Sequence, residues 1–162
     1  VGDEAIDVLM GLLREPSTCE AIRLRSLALG GEVRGGLMLR GMITANGAQL
    51  LSDLPRTNAS LTSLRLSGNS QIGGQACVAL LTSLQACNER SCQLSVLHID
   101  HCGLMKEHVP SFMEALDQVW VLHELRADGE TYSSRDSSRP PTEGGSPFGA
   151  LAVTPGLFRS TS

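Results

Sequence analysis

Two stretches of this 162-residue chain carry nearly the same pattern of leucines. Residues Leu61 to Asn69 read LTSLRLSGN, and residues Leu94 to Cys102 read LSVLHIDHC. Both fit L-x-x-L-x-L-x-x-N/C, in which aliphatic residues recur at alternate positions. Alternation of this kind is typical of a strand with one buried face, so the two stretches predict strands at equivalent places in a repeating structure.

Two weaker copies flank this pair. Residues 24–29 (LRSLAL) precede it, and residues 122–127 (LHELRA) follow it. The second leucines of the four copies are Leu27, Leu64, Leu97 and Leu125, so the steps between copies are 37, 33 and 28 residues. A period near 28 is typical of repeats in which each strand returns through a full α-helix. The two longer steps predict loop insertions.

The segments between the copies carry helical patterns, with apolar residues recurring every three or four positions. The predicted helices cover residues 3–13, 44–54, 72–84 and 106–116. Their predicted buried residues are Ile6, Leu9, Leu12, Leu13, Ala48, Leu51, Leu54, Ala76, Ala79, Leu80, Leu84, Val109, Phe112, Met113 and Leu116. Pro55 is expected to end the second helix. Strands and helices therefore alternate, and the predicted fold class is α/β.

With these copies the chain resembles leucine-rich repeat proteins, and in particular the ribonuclease-inhibitor-like subclass with long repeats. The resemblance covers residues 1–128. It implies a solenoid of about four repeats, a short horseshoe arc with parallel β-strands on the concave face and α-helices on the convex face. Alternating strands and helices also suggest a doubly wound sheet, but the glycines at 30–36 and 73–74 match no nucleotide-binding glycine motif.

The composition changes after residue 128. Residues 132–147 are rich in Ser, Pro and Gly and show no apolar period. We therefore predict a leucine-rich repeat domain at 1–128 and a C-terminal tail at 129–162. Apolar residues near the end of the tail are expected to dock on the last repeat or on a partner.

Charge and composition argue against several kinds of partner. The net charge of −4, without clustered Lys and Arg, argues against nucleic acid. No apolar run approaches the ~20 residues that cross a bilayer, so no membrane insertion is expected. The five cysteines are an odd number without compact spacing, which favours a reducing, intracellular and cytoplasmic setting. The sequon Asn58-Ala59-Ser60 would be used only in a secretory compartment.

The repeat pattern also predicts which side chains lie on the concave face of the sheet. The leucines point into the core, so the residues between them point outward and form rows across strands about 4.8 Å apart. The predicted partner-binding residues on these rows are Ser63, Arg65, Ser67, Val96, His98, Asp100, Glu124, Arg126 and Asp128. Their charge pattern predicts a docking face for a protein partner. The alternative is that these charges only pair with their neighbours on a solvated sheet.

No residue set predicts catalysis, a metal or another cofactor. His98, His101, Cys102 and His123 are zinc-type donors, but His98 is expected to point out of the sheet and Cys102 into the core. Ser63 near His98 has no predicted pocket or oxyanion donors beside it, so we expect no enzyme.

The expected function is therefore a non-catalytic protein–protein interaction module or scaffold segment, acting within a larger assembly. The resemblance also leaves an alternative, a regulator of a small GTPase, because a similar long-repeat fold is used by the activating proteins of the nuclear-transport GTPase. No motif of that family matches this chain residue by residue.

Overall fold

The structure, a computed structural model, describes residues 1–15, 23–34, 37–39, 41–85, 92–119, 121–127 and 130–133. Its helices are α1 (Asp3–Arg14), α2 (Ala45–Leu51), α3 (Leu54–Thr57), α4 (Gly74–Gln85) and α5 (Val109–Asp117), with a 3₁₀ turn at Lys106–His108. Its strands are β1 (Ser26–Ala28), β2 (Glu32–Arg34), β3 (Leu37–Leu39), β4 (Ser63–Arg65), β5 (Val96–His98), β6 (Glu124–Ala127) and β7 (Glu130–Ser133).

Five of these strands form one sheet in the order β1-β4-β5-β6-β7. The first four are parallel, and β7 pairs antiparallel with β6. The register aligns the second leucine of each copy, so that Leu27, Leu64, Leu97 and Leu125 are neighbours across the sheet. The predicted α/β class is confirmed at this level, as a four-strand parallel sheet with helices.

Equivalent backbone hydrogen bonds join each pair of parallel neighbours just after the strands end. The three bonds have the same length, 2.8 Å from amide nitrogen to carbonyl oxygen, and run from Leu29 to Arg65, from Leu66 to His98 and from Ile99 to Arg126. The pairing therefore continues past the short strands with an unchanged register.

One face of the parallel sheet lies in the hydrophobic core. The pattern residues of the last three copies are at most 1% exposed: Leu61, Leu64, Leu66, Leu94, Leu97, Ile99, Leu122, Leu125 and Ala127. The helices cover this face and stack in chain order, α1 on α2, α2 on α4 and α4 on α5. Aliphatic side chains fill most of this core, because Phe, Trp and Tyr make up only 3% of the chain.

Asn69 is fully buried, and its side-chain amide joins three segments of the backbone. Its Oδ1 accepts a hydrogen bond from the Ile43 amide at 3.0 Å, and its Nδ2 donates to the carbonyls of Leu66 at 2.7 Å and Leu29 at 3.0 Å. At the equivalent position of the next copy, the Cys102 thiol donates to the Leu66 carbonyl at 3.2 Å. In both copies the side chain at the N/C position of the pattern thus donates a hydrogen bond to a backbone carbonyl of the preceding copy.

Each of the four predicted helical segments contains a helix, but two details of the prediction are wrong. Pro55 does not end α2, which stops at Leu51; it lies in the first turn of α3, where the missing N–H of proline costs nothing. Leu12 is 54% exposed, because α1 turns Ile6, Met10 and Leu13 toward the core instead. Five further residues predicted as buried are only partly buried: Leu9, Ala76, Ala79, Val109 and Met113.

Two strand pairs lie outside the four leucine copies. The longest step, from the first copy to the second, contains a separate antiparallel pair, β2 with β3, so this insertion is not only loop. The predicted boundary at residue 128 falls between β6 and β7, and the tail as predicted therefore contains the fifth strand of the sheet. The remainder of the tail, from residue 134, lies outside the described residues.

Asp3 ties the start of α1 to the start of α2. The Thr44 amide donates to Asp3 Oδ1 at 2.9 Å, and the Thr44 hydroxyl donates to Oδ2. A Cβ on Gly47 would clash with Asp3 Oδ1, so only glycine permits this approach. Burial raises the pKa of Asp3, but hydrogen bonds from Thr44 and from the Gly47 backbone outweigh it and hold that pKa below its usual value.

Replacing Asp3 by Asn should lower the free energy of unfolding by about 1–2 kcal/mol at pH 7, because a charged acceptor is lost. The pKa of Asp3 is lower in the folded chain than in the unfolded chain, where it is about 3.9. The Asp3 carboxylate therefore stabilises the fold fully above that unfolded-state pKa, and this stabilisation is lost as the pH falls through the folded-state pKa. Urea denaturation should therefore show the difference between D3N and the unmodified chain shrinking below about pH 4.

The control for this comparison is D7N, which removes an exposed carboxylate from the same helix and should change stability by about 0.5 kcal/mol or less. A difference between D3N and the unmodified chain that is as large at pH 3 as at pH 7 would show that the Asp3 charge is not what joins the two helices.

Candidate docking face on the parallel sheet

The outward side of the parallel sheet, called here the docking face, carries the predicted site residues in three rows. Strand register aligns Ser26, Ser63, Val96 and Glu124 in the first row, and Ala28, Arg65, His98 and Arg126 in the second. The third row lies just beyond the strands and contains Gly30, Ser67 and Asp100, as backbone bonds from Gly31 to Ser67 and from Gly68 to Asp100 indicate. Asp128 lies outside the described residues.

Exposure differs sharply along these rows. Arg65 and Arg126 are exposed, whereas Val96, His98 and Glu124 are half-buried. Asp100 is only 7% exposed, although its place in the third row predicts an open surface residue. The rows therefore contain both covered and accessible polar groups, and sequence position alone did not distinguish them.

Asp100 is covered by its neighbours in the adjacent copies. Its carboxylate accepts a hydrogen bond from the Ser67 hydroxyl at 3.3 Å, and its own amide donates to Ser67 Oγ at 3.1 Å. Arg126 Nε lies 3.4 Å from Asp100 Oδ2. The Arg126 side chain is 45% exposed, and the Asp100 side chain is 10% exposed. Ser67, Asp100 and Arg126 thus form one polar cluster across three strands.

His98 and Glu124 form a second pair on adjacent strands. His98 Nε2 lies 2.8 Å from Glu124 Oε1, and the two side chains are 14% and 42% exposed. An ionised carboxylate only accepts hydrogen bonds, so this geometry places a proton on Nε2. The ion pair between Arg126 and Asp100 agrees with the alternative in which neighbouring charges neutralise each other. Both contacts lie in the β5 and β6 half of the docking face.

Arg65 differs from these paired residues. It is exposed at the centre of the second row, and no carboxylate contacts it among the residues that the structure describes. Its row neighbour on one side is Ala28, which has no polar group to offer, and on the other side is His98, which is engaged with Glu124. The guanidinium of Arg65 is therefore exposed and makes no ion pair with the described residues.

Two features of the docking face were not predicted. The Ser63 hydroxyl is buried and has no hydrogen-bond partner within the described part of the chain, although its sequence position predicts an ordinary surface serine. On the β1 side, Ser26, Ala28 and Gly30 are exposed and small, so they leave the approach to Arg65 unobstructed. The small residues on the β1 side could be read from the aligned copies. Burial of the Ser63 hydroxyl could not, because it depends on how neighbouring side chains cover that oxygen atom.

The zinc-type donors do not converge. His101 is exposed and adopts a left-handed backbone with φ of 55°, as the equivalent Gly68 does with φ of 88°. Cys102 is buried and directs its thiol to the Leu66 carbonyl. Within the described ranges, no three His, Cys, Asp or Glu side chains are grouped so that they could hold a metal ion.

Comparisons with known proteins add no identity. The chain matches no protein-family model, and a search of the curated proteins finds no match to it. None of the described helices has the length and apolar character that a bilayer-crossing segment requires.

Removing Arg126 should destabilise the fold more than removing Arg65. R126A removes the contact between Arg126 and the buried Asp100 and should lower the free energy of unfolding by about 1 kcal/mol, a value reduced by the partial exposure of Arg126. R65A, which breaks no described contact, should change it by about 0.5 kcal/mol or less.

Urea denaturation of a double-mutant cycle tests the coupling. In a D100N background, R126A should cost clearly less than in the unmodified chain, because the charge that it neutralises is gone. Equal costs of R126A in the two backgrounds would contradict the cluster described above.

Proposed function

We propose that this chain is a leucine-rich repeat solenoid that binds a protein partner through the docking face and catalyses no reaction. Two observations support the repeat architecture. The aligned leucines are buried in register, and the same 2.8 Å backbone bond recurs at each step between copies. The buried Asn69 and Cys102 serve the same backbone-satisfying role at the N/C position of the pattern.

Arg65 is the single observation that carries the binding proposal. An exposed arginine can form a bidentate pair with a carboxylate, and here nothing in the described chain competes for it. Among the described residues of the face, Arg126 forms an ion pair with Asp100, and Glu124 shares a hydrogen bond with His98. A partner that places a carboxylate against Arg65 would form an ion pair that no described residue of the face supplies.

The shape of the docking face favours a protein surface over a small ligand. Its β1 side is low, because Ser26, Ala28 and Gly30 have little or no side chain there. Val96 supplies a half-buried apolar contact beside Arg65 in the neighbouring row. A sheet face on which an exposed arginine has no carboxylate partner among the described residues suits an acidic protein partner better than an enclosed substrate.

We further propose an intracellular, cytoplasmic setting in a larger assembly. Cys77, Cys92 and Cys102 form no disulfide within the described part of the chain, which supports a reducing environment. Asn58 of the sequon is only 3% exposed, and its amide oxygen accepts hydrogen bonds from Ser60. The folded chain therefore does not present this asparagine for glycosylation.

The test compares R65E with R56E. Both variants make the same change of charge at an exposed arginine, but Arg56 lies on α3, away from the docking face. Immobilised unmodified chain, R65E and R56E would each be used to capture partners from the native source, and the captured proteins quantified by mass spectrometry. In titration calorimetry with the main purified partner, R65E should bind at least about tenfold more weakly than the unmodified chain, because an attractive ion pair becomes a repulsive contact. The affinity of R56E should lie within about twofold of that of the unmodified chain.

Equal affinity of all three proteins for that partner would rule out Arg65 as the binding residue. The same purified proteins would be added to candidate small GTPases loaded with GTP. Acceleration of GTP hydrolysis by the unmodified chain would contradict the non-catalytic part of the proposal and favour the GTPase-regulator alternative.

A further inference from the structure

Asn46, in the first turn of α2, differs from the other asparagines that the structure describes. Asn58 is 3% exposed, and its side-chain oxygen accepts hydrogen bonds from Ser60. Asn69 is fully buried, and its amide bonds to three backbone groups. Asn46 is exposed, and its side chain makes no hydrogen bond with the described residues. Its carboxamide is therefore accessible, and the next residue is Gly47.

An exposed asparagine followed by glycine is the pair most prone to deamidation. The backbone nitrogen of the glycine loses its proton and attacks Cγ of the asparagine, and the carboxamide nitrogen takes up a proton and leaves as ammonia. Glycine hinders this attack least, because it has no side chain. Water then opens the cyclic imide at either carbonyl. The products are aspartate and isoaspartate, in which the main chain contains an extra methylene group.

Packing requires the glycine of this pair. A Cβ on Gly47 would clash with Asp3 Oδ1 and with the side chain of Ile43. Gly47 is buried where α1 packs on α2. The close approach of the two helices therefore keeps the reactive pair in the chain, although glycine and asparagine are both poor helix formers.

The peptide group between Asn46 and Gly47 must rotate before the reaction can occur. A helical ψ near −42° holds the backbone nitrogen of the next residue out of line with Cγ. The Gly47 amide belongs to the first turn, where an N–H finds no acceptor within its own helix. Its acceptor is instead the carboxylate of Asp3 on α1. Rotation of this peptide group therefore breaks a hydrogen bond between the two helices.

The charge of Asp3 opposes the reaction as well. Asp3 also accepts from the Thr44 amide at 2.9 Å and from the Thr44 hydroxyl. Together with the bond from Gly47, these hydrogen bonds hold the pKa of Asp3 below its usual value. The carboxylate is therefore charged and too weak a base to remove the Gly47 proton. Its negative charge disfavours the loss of that proton to solvent, which is the first step of deamidation.

We propose that Asn46 is a deamidation site, and that Asp3 suppresses the reaction for as long as α1 lies against α2. The net reaction consumes one water and releases one ammonia, and it needs no other reactant. Isoaspartate at this position would move the Gly47 amide away from Asp3, so the modification would hinder the return of α1 to its place. The site lies among the helices and not on the docking face, so the proposal does not depend on the proposed function.

The experiment compares the unmodified chain with D3A and D7A. Both variants remove a carboxylate from α1, but Asp7 is exposed and makes no described contact with α2. Each protein is incubated at mildly alkaline pH, once in native buffer and once in guanidinium chloride. Peptide mapping by mass spectrometry then gives the deamidation rates at Asn46 and at Asn69. In D3A the bond from Ile43 to Asn69 still holds the segment before α2.

In native buffer, D3A should deamidate at Asn46 about tenfold faster than the unmodified chain, because a hydrogen bond to a charged acceptor is lost. D7A should stay within about twofold of the unmodified chain. In guanidinium chloride the three proteins should react at Asn46 at the same rate. Asn69 should remain unmodified in all three folded proteins.

Equal rates at Asn46 in D3A and the unmodified chain would overturn the proposal. A slower rate in D3A would also overturn it, because Asp3 would then promote the proton transfer. Acceleration at Asn69 as large as that at Asn46 would show that opening of the whole fold controls the reaction, with the same consequence. A further measurement needs no variant: the unmodified chain should react at Asn46 at least about tenfold more slowly in native buffer than in guanidinium chloride. Equal rates in the two solvents would contradict suppression by the fold.

Discussion

The structure depends on the register of its four parallel strands. Side chains alternate along a strand, so shifting one strand by a single residue would exchange its buried and exposed faces. Here Leu64, Leu97 and their equivalents lie side by side, and their burial holds the register on the core side. The buried amide of Asn69 holds it from the end of the strand, because its three hydrogen bonds fit only one placement of the neighbouring backbone.

The same register creates the docking face. Residues that are 26 positions apart in the chain meet on adjacent strands, as His98 meets Glu124 and Asp100 meets Arg126. Arg126 neutralises Asp100, Glu124 shares a hydrogen bond with His98, and Arg65 is exposed. Stability and the proposed binding therefore depend on different residues of the face: the buried Asp100 supports the fold, whereas the exposed Arg65 is the proposed contact with a partner.

The sequence predicted whatever follows from periodicity. The leucine copies located the strands and their alignment, and the helical stripes located the helices, because both signals depend on short-range geometry. Details set by neighbouring elements were missed. Leu12 fits the apolar pattern of α1 but faces away from α2, and Asp100 occupies an outward position yet is covered by Ser67 and Arg126. β7 could not be predicted either, since Glu130–Ser133 carries no leucine pattern and gains its structure by pairing with β6.

Nuclear magnetic resonance measurement of scalar couplings across hydrogen bonds tests the register most directly. The account predicts couplings from the amide nitrogens of Leu29, Leu66 and Ile99 to the carbonyl carbons of Arg65, His98 and Arg126, respectively. Couplings displaced by one residue in any of the three pairs would contradict it, because the leucines of that strand would then face solvent and its docking residues would face the core.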